Sequence, residues 1–260
     1  DSVVATIIPS GVSILYYGDR VAQFPLSLIG TAIGISILPL LSKTLSKRGD
    51  KQEAQNIQED SIFLACFLGI PSAVGLFTLA YPIIEVLFQR GQFTAENTLQ
   101  VSNVLRIYSV ALPFFILSKI LQTIFYAKKD TKTPMKNSLY CLIINIIVSF
   151  SLVFFIGANG IAVATTMSAI FASASLFYKL LKSETFNFSN ILQTKLLKII
   201  YASIIMAIFI ICSNIFLEKF NMLTIFKLII SGGIGGFIFL FLSYILKIIR
   251  IEEIKEFIKK

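Results

Sequence analysis

Long apolar runs separated by short polar segments fill most of the chain. Most runs extend over roughly 20 residues or more, the length that an α-helix needs to cross a hydrocarbon core of ~30 Å. Their positions predict eight transmembrane helices, at about 1–17, 23–45, 60–88, 97–126, 135–156, 159–181, 191–216 and 222–249. Because hydrocarbon offers the backbone no hydrogen-bond partner, these spans must be helical. The pattern therefore predicts an all-α integral membrane protein.

Basic residues are distributed unevenly among the connections between these spans. Most of the 23 lysines and arginines flank the second, fourth and sixth connections or lie in the C-terminal tail. Positive residues accumulate in cytoplasmic loops, so these connections and the C-terminus are expected in the cytoplasm. With eight spans, Asp1 would start on the cytoplasmic side too, and an even number of spans would precede it. The net charge of +9 then reflects topology and attraction to anionic lipid heads rather than nucleic-acid binding.

Turn signals mark several of the predicted helix ends. Thr94 is placed to cap the fourth span, and Thr133-Pro134 is typical of an N-cap followed by the first residue of the fifth. The link Gly157–Gly160 is short and uncharged, so spans five and six should form an antiparallel hairpin.

A polar linker, Ser183–Asn190, sets the last two spans apart. We therefore expect a six-helix unit over residues 1–182, followed by two additional transmembrane helices with a cytoplasmic tail over residues 183–260. The chain starts at Asp1 without a methionine or a signal segment, and its first apolar run begins within a few residues. This start is typical of a fragment of a longer polypeptide.

The composition narrows the range of functions. Hydrophobic residues make up 56% of the chain and charged residues 14%, whereas a soluble domain has about 25% charged residues. The sequence contains no histidine, which excludes acid–base or metal chemistry that depends on this residue. No carboxylates cluster within the spans, so an enzyme is not expected. The three cysteines lie in apolar runs, and their spacing does not suggest a disulfide or a metal site.

The charged pair Asp19-Arg20 is the first candidate for chemistry. It lies between the first two predicted spans, where charge is costly and usually marks a substrate or ion path. One interpretation is an interfacial turn, in which Arg20 snorkels to water and Asp19 caps the second span. The other is recognition of an anionic lipid, because arginine binds phosphate through two parallel hydrogen bonds. Arg106, near the outer end of the fourth span, is a further candidate that could line a vestibule.

Polar residues within spans five and six offer a candidate cation site. Asn145 and Ser149 lie four residues apart on one helix face, and the tight hairpin places Thr165 and Ser168 beside them. Together with Asp1, they offer carboxylate, amide and hydroxyl oxygens, which suit a hard cation such as Na⁺. The alternative is ordinary hydrogen bonding between neighbouring helices.

Four glycines form a small-residue patch in the eighth span. They are Gly232, Gly233, Gly235 and Gly236. Close helix packing is one interpretation of the patch, and a groove for a lipid tail is the other.

Several separated motifs occur along the chain in a recognisable order. They are Tyr16–Gly30 (with Tyr-Tyr-Gly-Asp-Arg at its start), Ile37–Ser42, Gly69–Ala73, Leu87–Thr94, Phe125–Ala127, Asp130–Pro134 and Gly160–Thr165. In this order they closely resemble the signature of the MurJ (MviN) family, the lipid II flippases of bacterial peptidoglycan synthesis. The resemblance covers roughly residues 1–182, and beyond them only the hydrophobic pattern agrees.

The resemblance implies a particular architecture. The family has fourteen spans in two six-helix lobes, arranged as an inverted V, plus two extra C-terminal helices. It belongs to the multidrug/oligosaccharidyl-lipid/polysaccharide exporter superfamily. This chain would be the second lobe and the extra pair, spans seven to fourteen. A cationic cavity between the lobes receives the lipid II head group, and Arg20 matches a cavity arginine with Asp19 beside it. The last two helices, which include the glycine patch, form a groove for the polyprenyl tail.

The resemblance also bears on the cation site. Asp1, Asn145 and Thr165 fall where some members carry a sodium site. Ser149 stands where sodium-binding members have a carboxylate, so this chain departs from their pattern. Sodium as a coupling ion is the one cofactor that the resemblance implies.

The function implied is the flipping of lipid II from the cytoplasmic to the outer leaflet of the bacterial inner membrane by alternating access. The expected partners are lipid II, membrane lipids and the missing N-terminal lobe of the same polypeptide. One alternative is a polysaccharide-precursor or multidrug exporter of the same superfamily. Another is a non-transporting scaffold that recruits cell-wall enzymes through the polar segment Ser46–Asp60. The arginine-containing motif and the mostly basic charges within spans favour the flippase over the exporters.

Overall fold

The fold is that of a computed structural model, which describes residues 2–6, 8, 10–46, 51–183, 186, 188–220 and 222–248. These residues form nine helices and no strand: α1 (Ser2–Ala5), α2 (Gly11–Ser46), α3 (Lys51–Thr78), α4 (Ala80–Phe88), α5 (Ala95–Ala127), α6 (Lys132–Ile156), α7 (Ala158–Leu181), α8 (Asn190–Glu218) and α9 (Thr224–Ile245). In this part of the chain, seven helices are long and apolar enough to cross a membrane. The all-α integral membrane class is confirmed.

Helix α2 differs from the prediction for the start of the chain. Gly11–Ser46 form one helix of 36 residues, about 54 Å long, where the sequence predicts two spans at 1–17 and 23–45. Asp19 and Arg20 therefore lie inside a helix, and their interpretation as an interfacial turn is wrong. A continuous helix keeps the backbone hydrogen bonds satisfied within lipid, whereas a turn at the same depth would leave some of them open.

The described residues accordingly contain seven spans where eight are predicted. Helix α1 packs beside α6 and α7, and the Ile8 side chain lies 3.9 Å from the position that a Cβ on Gly157 would take. This is the end of the bundle opposite the Lys128–Lys136 connection, because α6 runs from one end to the other. The expectation that Asp1 starts on the cytoplasmic side, after an even number of spans, stays a prediction. Asp1 itself lies outside the described residues.

Helices α3 and α4 together form the predicted third span, 60–88. Between them the backbone departs from helical geometry at Leu79, with φ −100° and ψ 11°. The Leu79 amide still donates to the Gly75 carbonyl at 3.0 Å, and the Ile83 amide donates to the Leu79 carbonyl at 2.9 Å. The backbone is thus hydrogen-bonded across the break, as the hydrocarbon environment requires.

Two of the predicted helix ends are confirmed. Thr94 caps α5, and its hydroxyl accepts a hydrogen bond from the Asn97 amide at 3.4 Å. A single residue, Gly157, joins α6 to α7 with a φ of +59°, a conformation that glycine adopts at little cost. The antiparallel hairpin of α6 and α7 follows from this one-residue link.

The start of α6 differs from the predicted cap at Thr133. The helix begins at Lys132, and the Thr133 amide donates to Asp130 Oδ1 at 3.0 Å. Hydrogen bonds from Thr133 lower the pKa of Asp130 below its ordinary value of 3.8, because they favour the ionised carboxylate. The carboxylate also faces the positive end of the helix dipole, an interaction that a threonine hydroxyl cannot match.

Helix α5 occupies the centre of the bundle, with α2, α3, α4 and α7 packed around it. Two glycines permit this close approach. A Cβ on Gly18 of α2 would lie 2.8 Å from the Val104 side chain, and one on Gly69 of α3 would lie 3.1 Å from Ile116. Of the seven spans, α5 is the most buried and α6 the least, so α6 turns most of its surface to lipid.

The pair of helices α8 and α9 packs on α3 and α4 rather than on α2. Two carboxylates, one on α3 and one on α4, accept hydrogen bonds from hydroxyls of the α8–α9 pair. An aromatic ring of α3 also packs against one of α9. These contacts are Ser189 with Glu59 (2.8 Å), Thr224 with Glu85 (3.1 Å) and Phe239 with Phe67 (ring centroids 5.2 Å apart). The pair is therefore held to α3 and α4 at both ends and in the middle.

The four glycines of α9 face two different environments. A Cβ on Gly235 would lie 2.6 Å from two side-chain atoms of Ile210 in α8, so this glycine serves close helix packing. Around Gly233 and Gly236, the described residues place no atom within 4 Å of the Cβ position, apart from the chain neighbours and backbone of α9 itself. The side chain of Leu79 lies 3.8 Å from the Cβ position of Gly232. The patch thus combines a packing contact with an open face.

We expect Gly235→Leu to destabilise the α8–α9 pair by about 1–3 kcal/mol, because the added side chain overlaps Ile210. Gly236→Leu is the matched control, since open space surrounds that position. The melting temperature of the purified protein in detergent measures both changes. Equal melting temperatures for the two variants would contradict the assigned packing.

We expect Asp130→Ala to destabilise the protein by about 0.5–1 kcal/mol, the lower part of the range for a helix cap, because water screens this carboxylate. The effect should be largest at neutral pH. It should shrink as the pH falls below 3.8, because a depressed pKa stabilises the folded state only while the carboxylate is ionised. Asp130→Asn keeps an acceptor oxygen without the charge, so it should lose less stability than Asp130→Ala. Unfolding measured from pH 3 to pH 7 tests this, and an effect independent of pH would exclude a role for the charge.

Candidate functional site

Arg20 projects from α2 as an exposed cation beside an aromatic ring. Its guanidinium carbon lies 4.7 Å from the centroid of the Tyr16 ring, one helical turn earlier. A guanidinium over a ring face is attracted by the π-electrons, and more strongly where water is excluded. The contact orients the arginine and leaves its N–H groups available to an anion.

Asp19, the neighbour of Arg20, is directed toward the centre of the bundle. It is half-buried, and its carboxylate accepts a hydrogen bond from the Gln23 side chain one turn further along α2. Its charge also acts on the buried Tyr108 of α5. The carboxylate is thus engaged within the lobe, whereas Arg20 points outward.

An apolar cleft of about 600 Å³ opens beside Arg20, between α2 and the α3–α4 pair. Phe24 and Pro25 of α2 line one side of it. Val21 of α2 also lines it, and the lining residues from α3, α4 and the break between them are Ser72, Gly75, Leu76, Leu79, Ile83, Leu87 and Phe88. A single cation at the edge of an apolar cleft suits an amphiphile with an anionic head.

Leu79 connects this cleft with the glycine patch of α9. Its side chain lines the cleft and also lies nearest to Gly232. The predicted lipid-tail groove therefore adjoins, through this leucine, the cleft that Arg20 lines. The assignment of the patch to a lipid tail remains a prediction.

Arg106, the other predicted substrate-binding cation, lies in a different cleft. This cleft has a volume of about 410 Å³ and is lined by residues of α3, α5 and α7, including Phe77, Val163 and Met167. The Arg106 guanidinium donates to Asn103 Oδ1 at 3.2 Å. The two clefts share no lining residue, so the structure does not bring Arg106 and Arg20 together.

The structure brings Asn145 and Thr165 together across the α6–α7 hairpin, as predicted. The Asn145 amide donates to Thr165 Oγ1 at 3.3 Å, and Thr165 also forms a hydrogen bond with Tyr108. The Ser168 hydroxyl instead donates to the Cys141 carbonyl at 3.0 Å. The contact between Asn145 and Thr165 agrees with interhelical hydrogen bonding and leaves the amide oxygen of Asn145 available.

The sodium site predicted around this pair stays a prediction. The Ser149 hydroxyl, one turn from Asn145, is buried and has no hydrogen-bond partner in the described part of the structure. The amide oxygen of Asn145 and the hydroxyl oxygens of Ser149 and Thr165 therefore lie on the two helices of the hairpin. The described residues contain no group of three His, Cys, Asp or Glu side chains that could hold a metal ion, and the predicted carboxylate, Asp1, lies outside them.

Sequence reasoning missed several residues that the structure places at the site. Gln23 follows Asp19 at the i, i+4 spacing of a helix face, a signal that is informative only if the helix is continuous. Tyr108 carries no local signal, because its contacts with Asp19 and Thr165 depend on how α2 and α7 pack against α5. Phe88 belongs to a recognised motif but is apolar, which does not mark it as part of a site.

The described residues form a bundle in which seven helices are long and apolar enough to cross a membrane, which defines the class: a multi-pass membrane protein. The family model described as "Lipid II flippase MurJ" matches residues 1–231. The chain belongs to the MurJ family of lipid II flippases.

A curated relative supports this membership. The chain is 33% identical over 255 residues to a probable lipid II flippase MurJ of Rickettsia prowazekii (strain Madrid E), an alignment that covers 96% of this chain and 50% of that protein. The chain thus spans about half the length of this relative, in agreement with a C-terminal part.

Solved structures agree with the fold. A lipid II flippase MurJ in an inward closed conformation superposes with a TM-score of 0.80 at 28% identity, over 93% of this chain and 48% of that one. A MOP superfamily transporter from Pyrococcus furiosus superposes with a TM-score of 0.61 at 15% identity, over 93% of this chain and 58% of that one. This second likeness shows the fold alone.

Proposed function

We propose that this chain is the part of a lipid II flippase that carries its second lobe, and that the whole protein moves lipid II to the outer leaflet by alternating access. The observation that supports this most directly is the Arg20 guanidinium at the edge of the apolar cleft. Lipid II combines a pyrophosphate-linked sugar–peptide head with a long polyprenyl tail. The cleft and its cation match the two chemical parts of such an amphiphile.

Arg20 would hold the pyrophosphate by charge-assisted hydrogen bonds. A guanidinium presents its N–H groups in a planar fork that matches two phosphate oxygens. The surrounding apolar side chains lower the local dielectric and strengthen the attraction. No covalent bond is made or broken, so the lobe would act by lowering the cost of carrying charge through hydrocarbon.

The seven described spans and the positions of the basic residues support one orientation in the membrane. The cytoplasm would then contain the basic connections, the C-terminal tail and the C-terminal ends of α2, α5, α7 and α9. The α4–α5 loop and the α6–α7 link would then face outward. Arg20 lies about 13 Å from the N-terminal end of α2, in its outer half. A membrane potential, negative inside, would favour outward movement of the anionic head by ~2.3 kcal/mol per charge per 100 mV.

The remainder of the cavity would come from the N-terminal lobe of the same polypeptide. The chain spans about half of the relatives described above, so one wall of the cavity would be formed by α2 and the opposite wall by the missing half. The bacterial inner membrane is the compartment in which such a substrate is made and moved.

We expect Arg20→Ala in the full-length protein to weaken lipid II binding roughly 10- to 100-fold, because hydrogen bonds to a charged group contribute about 1.5–3 kcal/mol. Native mass spectrometry with lipid II, and with a neutral polyprenol as the control ligand, measures this. Arg20→Lys keeps the charge without the planar guanidinium, so its affinity for lipid II should lie between those of the wild type and Arg20→Ala. Lys219→Ala, which removes a distant exposed lysine, is the matched control.

Two results would argue against this role of Arg20. One is equal lipid II binding by the wild type and Arg20→Ala. The other is an equal loss of neutral polyprenol binding, which would indicate damage to the cleft rather than loss of a phosphate contact. Growth of a flippase-depleted strain on Arg20→Ala at normal expression would contradict the role in cells.

We further propose that Asn145 and Thr165 contribute oxygens to a sodium site on the α6–α7 hairpin. Bound sodium would supply a positive charge that couples the hairpin to the ion gradient. We expect sodium, compared with choline at equal ionic strength, to stabilise the full-length protein by about 1.4 kcal/mol at roughly ten times its Kd. Thr165→Val should abolish the difference, and Ser151→Ala, which alters an exposed hydroxyl bonded within α6, should retain it. Identical melting temperatures in both salts would refute the site.

A further inference from the structure

The loop between α4 and α5 carries a motif that the role of Arg20 does not use. Its residues, Gln89–Thr94, form a tight structure in which Gly91 has a φ of +58° and the Phe93 amide donates to the Arg90 carbonyl at 3.1 Å. The Thr98 hydroxyl donates to Gln89 Oε1 at 2.8 Å and so anchors the loop to α5. The loop therefore holds the backbone of Arg90 in a defined place.

A polar cavity of about 580 Å³ lies between this loop and the first turns of α2 and α5. Its polar lining is supplied by Ser10, Ser13, Tyr17, Arg90, Gln92 and Asn97. Among the described residues that line it, Arg90 alone is charged. The volume falls within the range of sites that enclose small ligands.

Three aromatic rings form one wall of this cavity. The centroid of the Tyr17 ring lies 4.9 Å from that of Phe88 and 5.5 Å from that of Phe93, and the Phe88 and Phe93 centroids are 6.0 Å apart. Packed rings form a firm apolar surface, and the Tyr17 hydroxyl adds a hydrogen-bonding group. The cavity thus combines a ring wall with one guanidinium, two carboxamides and three hydroxyls.

This combination favours a sugar–peptide ligand over a phospholipid head. The carboxamides of Gln92 and Asn97 each offer a donor and an acceptor, which match the N-acetyl and peptide amides of an amino-sugar peptide. Arg90 matches a carboxylate, and the rings match the apolar faces of sugar units. A phospholipid phosphate would use the cation and leave the carboxamides without partners.

The cavity adjoins the Arg20 cleft. Phe88 lines both, so one phenyl ring forms part of the wall between them. Tyr17 and Arg20 are three residues apart on α2, about 4.5 Å along the helix axis. A ligand with its pyrophosphate at Arg20 therefore has the polar cavity within reach of its next chemical group.

We propose that this cavity is a second subsite, which binds the N-acetylated, carboxylate-bearing sugar–peptide part of the transported head group on the outward side of Arg20. The inference rests on the proposed function and orientation. It assigns Arg90, Gln92 and Asn97 to recognition of the part of the substrate that distinguishes a peptidoglycan precursor from other polyprenyl pyrophosphates.

Protection of an introduced thiol tests the subsite. The full-length protein carries Ser13→Cys, with its other cysteines replaced by serine, in nanodiscs of phosphatidylcholine. The rate of labelling by a water-soluble maleimide is measured with and without the lipid-free disaccharide–pentapeptide, which lacks pyrophosphate. We expect labelling to slow roughly tenfold at about ten times the Kd of this probe, because only the free protein reacts.

Two variants in the Ser13→Cys protein identify the contact. Arg90→Gln should raise the probe concentration needed for half-protection about tenfold, and Lys219→Gln, an equal charge change at an exposed site on the same side, should leave it unchanged. A melting temperature of Arg90→Gln equal to that of its parent shows that the fold is intact. Absence of protection at any probe concentration would overturn the proposal. Equal protection by inorganic pyrophosphate alone, or by phosphatidylglycerol nanodiscs, would also overturn it, because either would indicate a phosphate site.

Arg20→Ala in the same assay separates this proposal from the proposed function. The probe lacks pyrophosphate, so its protection of Cys at position 13 should survive Arg20→Ala. Protection by the probe without any lipid II binding by the wild type would support the subsite and refute the flippase. Lipid II binding that depends on Arg20, without protection by the probe, would refute the subsite alone.

Discussion

The lack of hydrogen-bonding partners in hydrocarbon is the constraint on which the rest of this structure depends. It requires helices, and it also determines what most polar side chains within them do. The hydroxyls of Ser109, Thr123 and Thr166 donate to carbonyls four residues earlier, at 2.7, 3.0 and 2.9 Å. Such groups are satisfied within their own helix. Arg20 is different: its guanidinium lies over the Tyr16 ring, and its charge remains available at the edge of the apolar cleft.

The sequence predicted the spans from α3 to α9 closely, because each is an apolar run that ends in polar residues or turn residues. It failed at α2 for a physical reason. A charged pair between two apolar runs is compatible with a turn or with a continuous helix, and hydropathy alone cannot distinguish them. A tertiary contact accompanies the continuous helix, because Gly18 packs tightly against Val104 of α5. This contact cannot be read from local sequence, and the i, i+4 hydrogen bond from Gln23 to Asp19 is a signal only if the helix is continuous.

The same distinction applies to the site. The meeting of Asn145 with Thr165 was predictable, because a one-residue link leaves two adjacent helices little freedom in register. The separation of Arg106 from Arg20 was not, because it depends on which side of the central α5 each neighbouring helix covers. The glycines of α9 show this clearly: Gly235 and Gly236 are adjacent in sequence, yet one contacts Ile210 and the other meets open space. Composition identifies such a patch of glycines, but only the packing of the helices shows which glycine makes a close contact and which faces open space.

The attachment of α8 and α9 to α3 and α4 has a mechanical consequence. Hydroxyl–carboxylate contacts at Ser189–Glu59 and Thr224–Glu85 lie at opposite ends of the pair, and the Phe67–Phe239 contact lies between them. Three separated attachment points resist both sliding and pivoting, so the pair should follow any tilt of α3 and α4. A bound lipid with its tail on α9 and its head group on α2 would then keep a fixed distance between its two contact sites. Under the proposed function, a tilt of these helices would move the lipid as a whole, without stretching it.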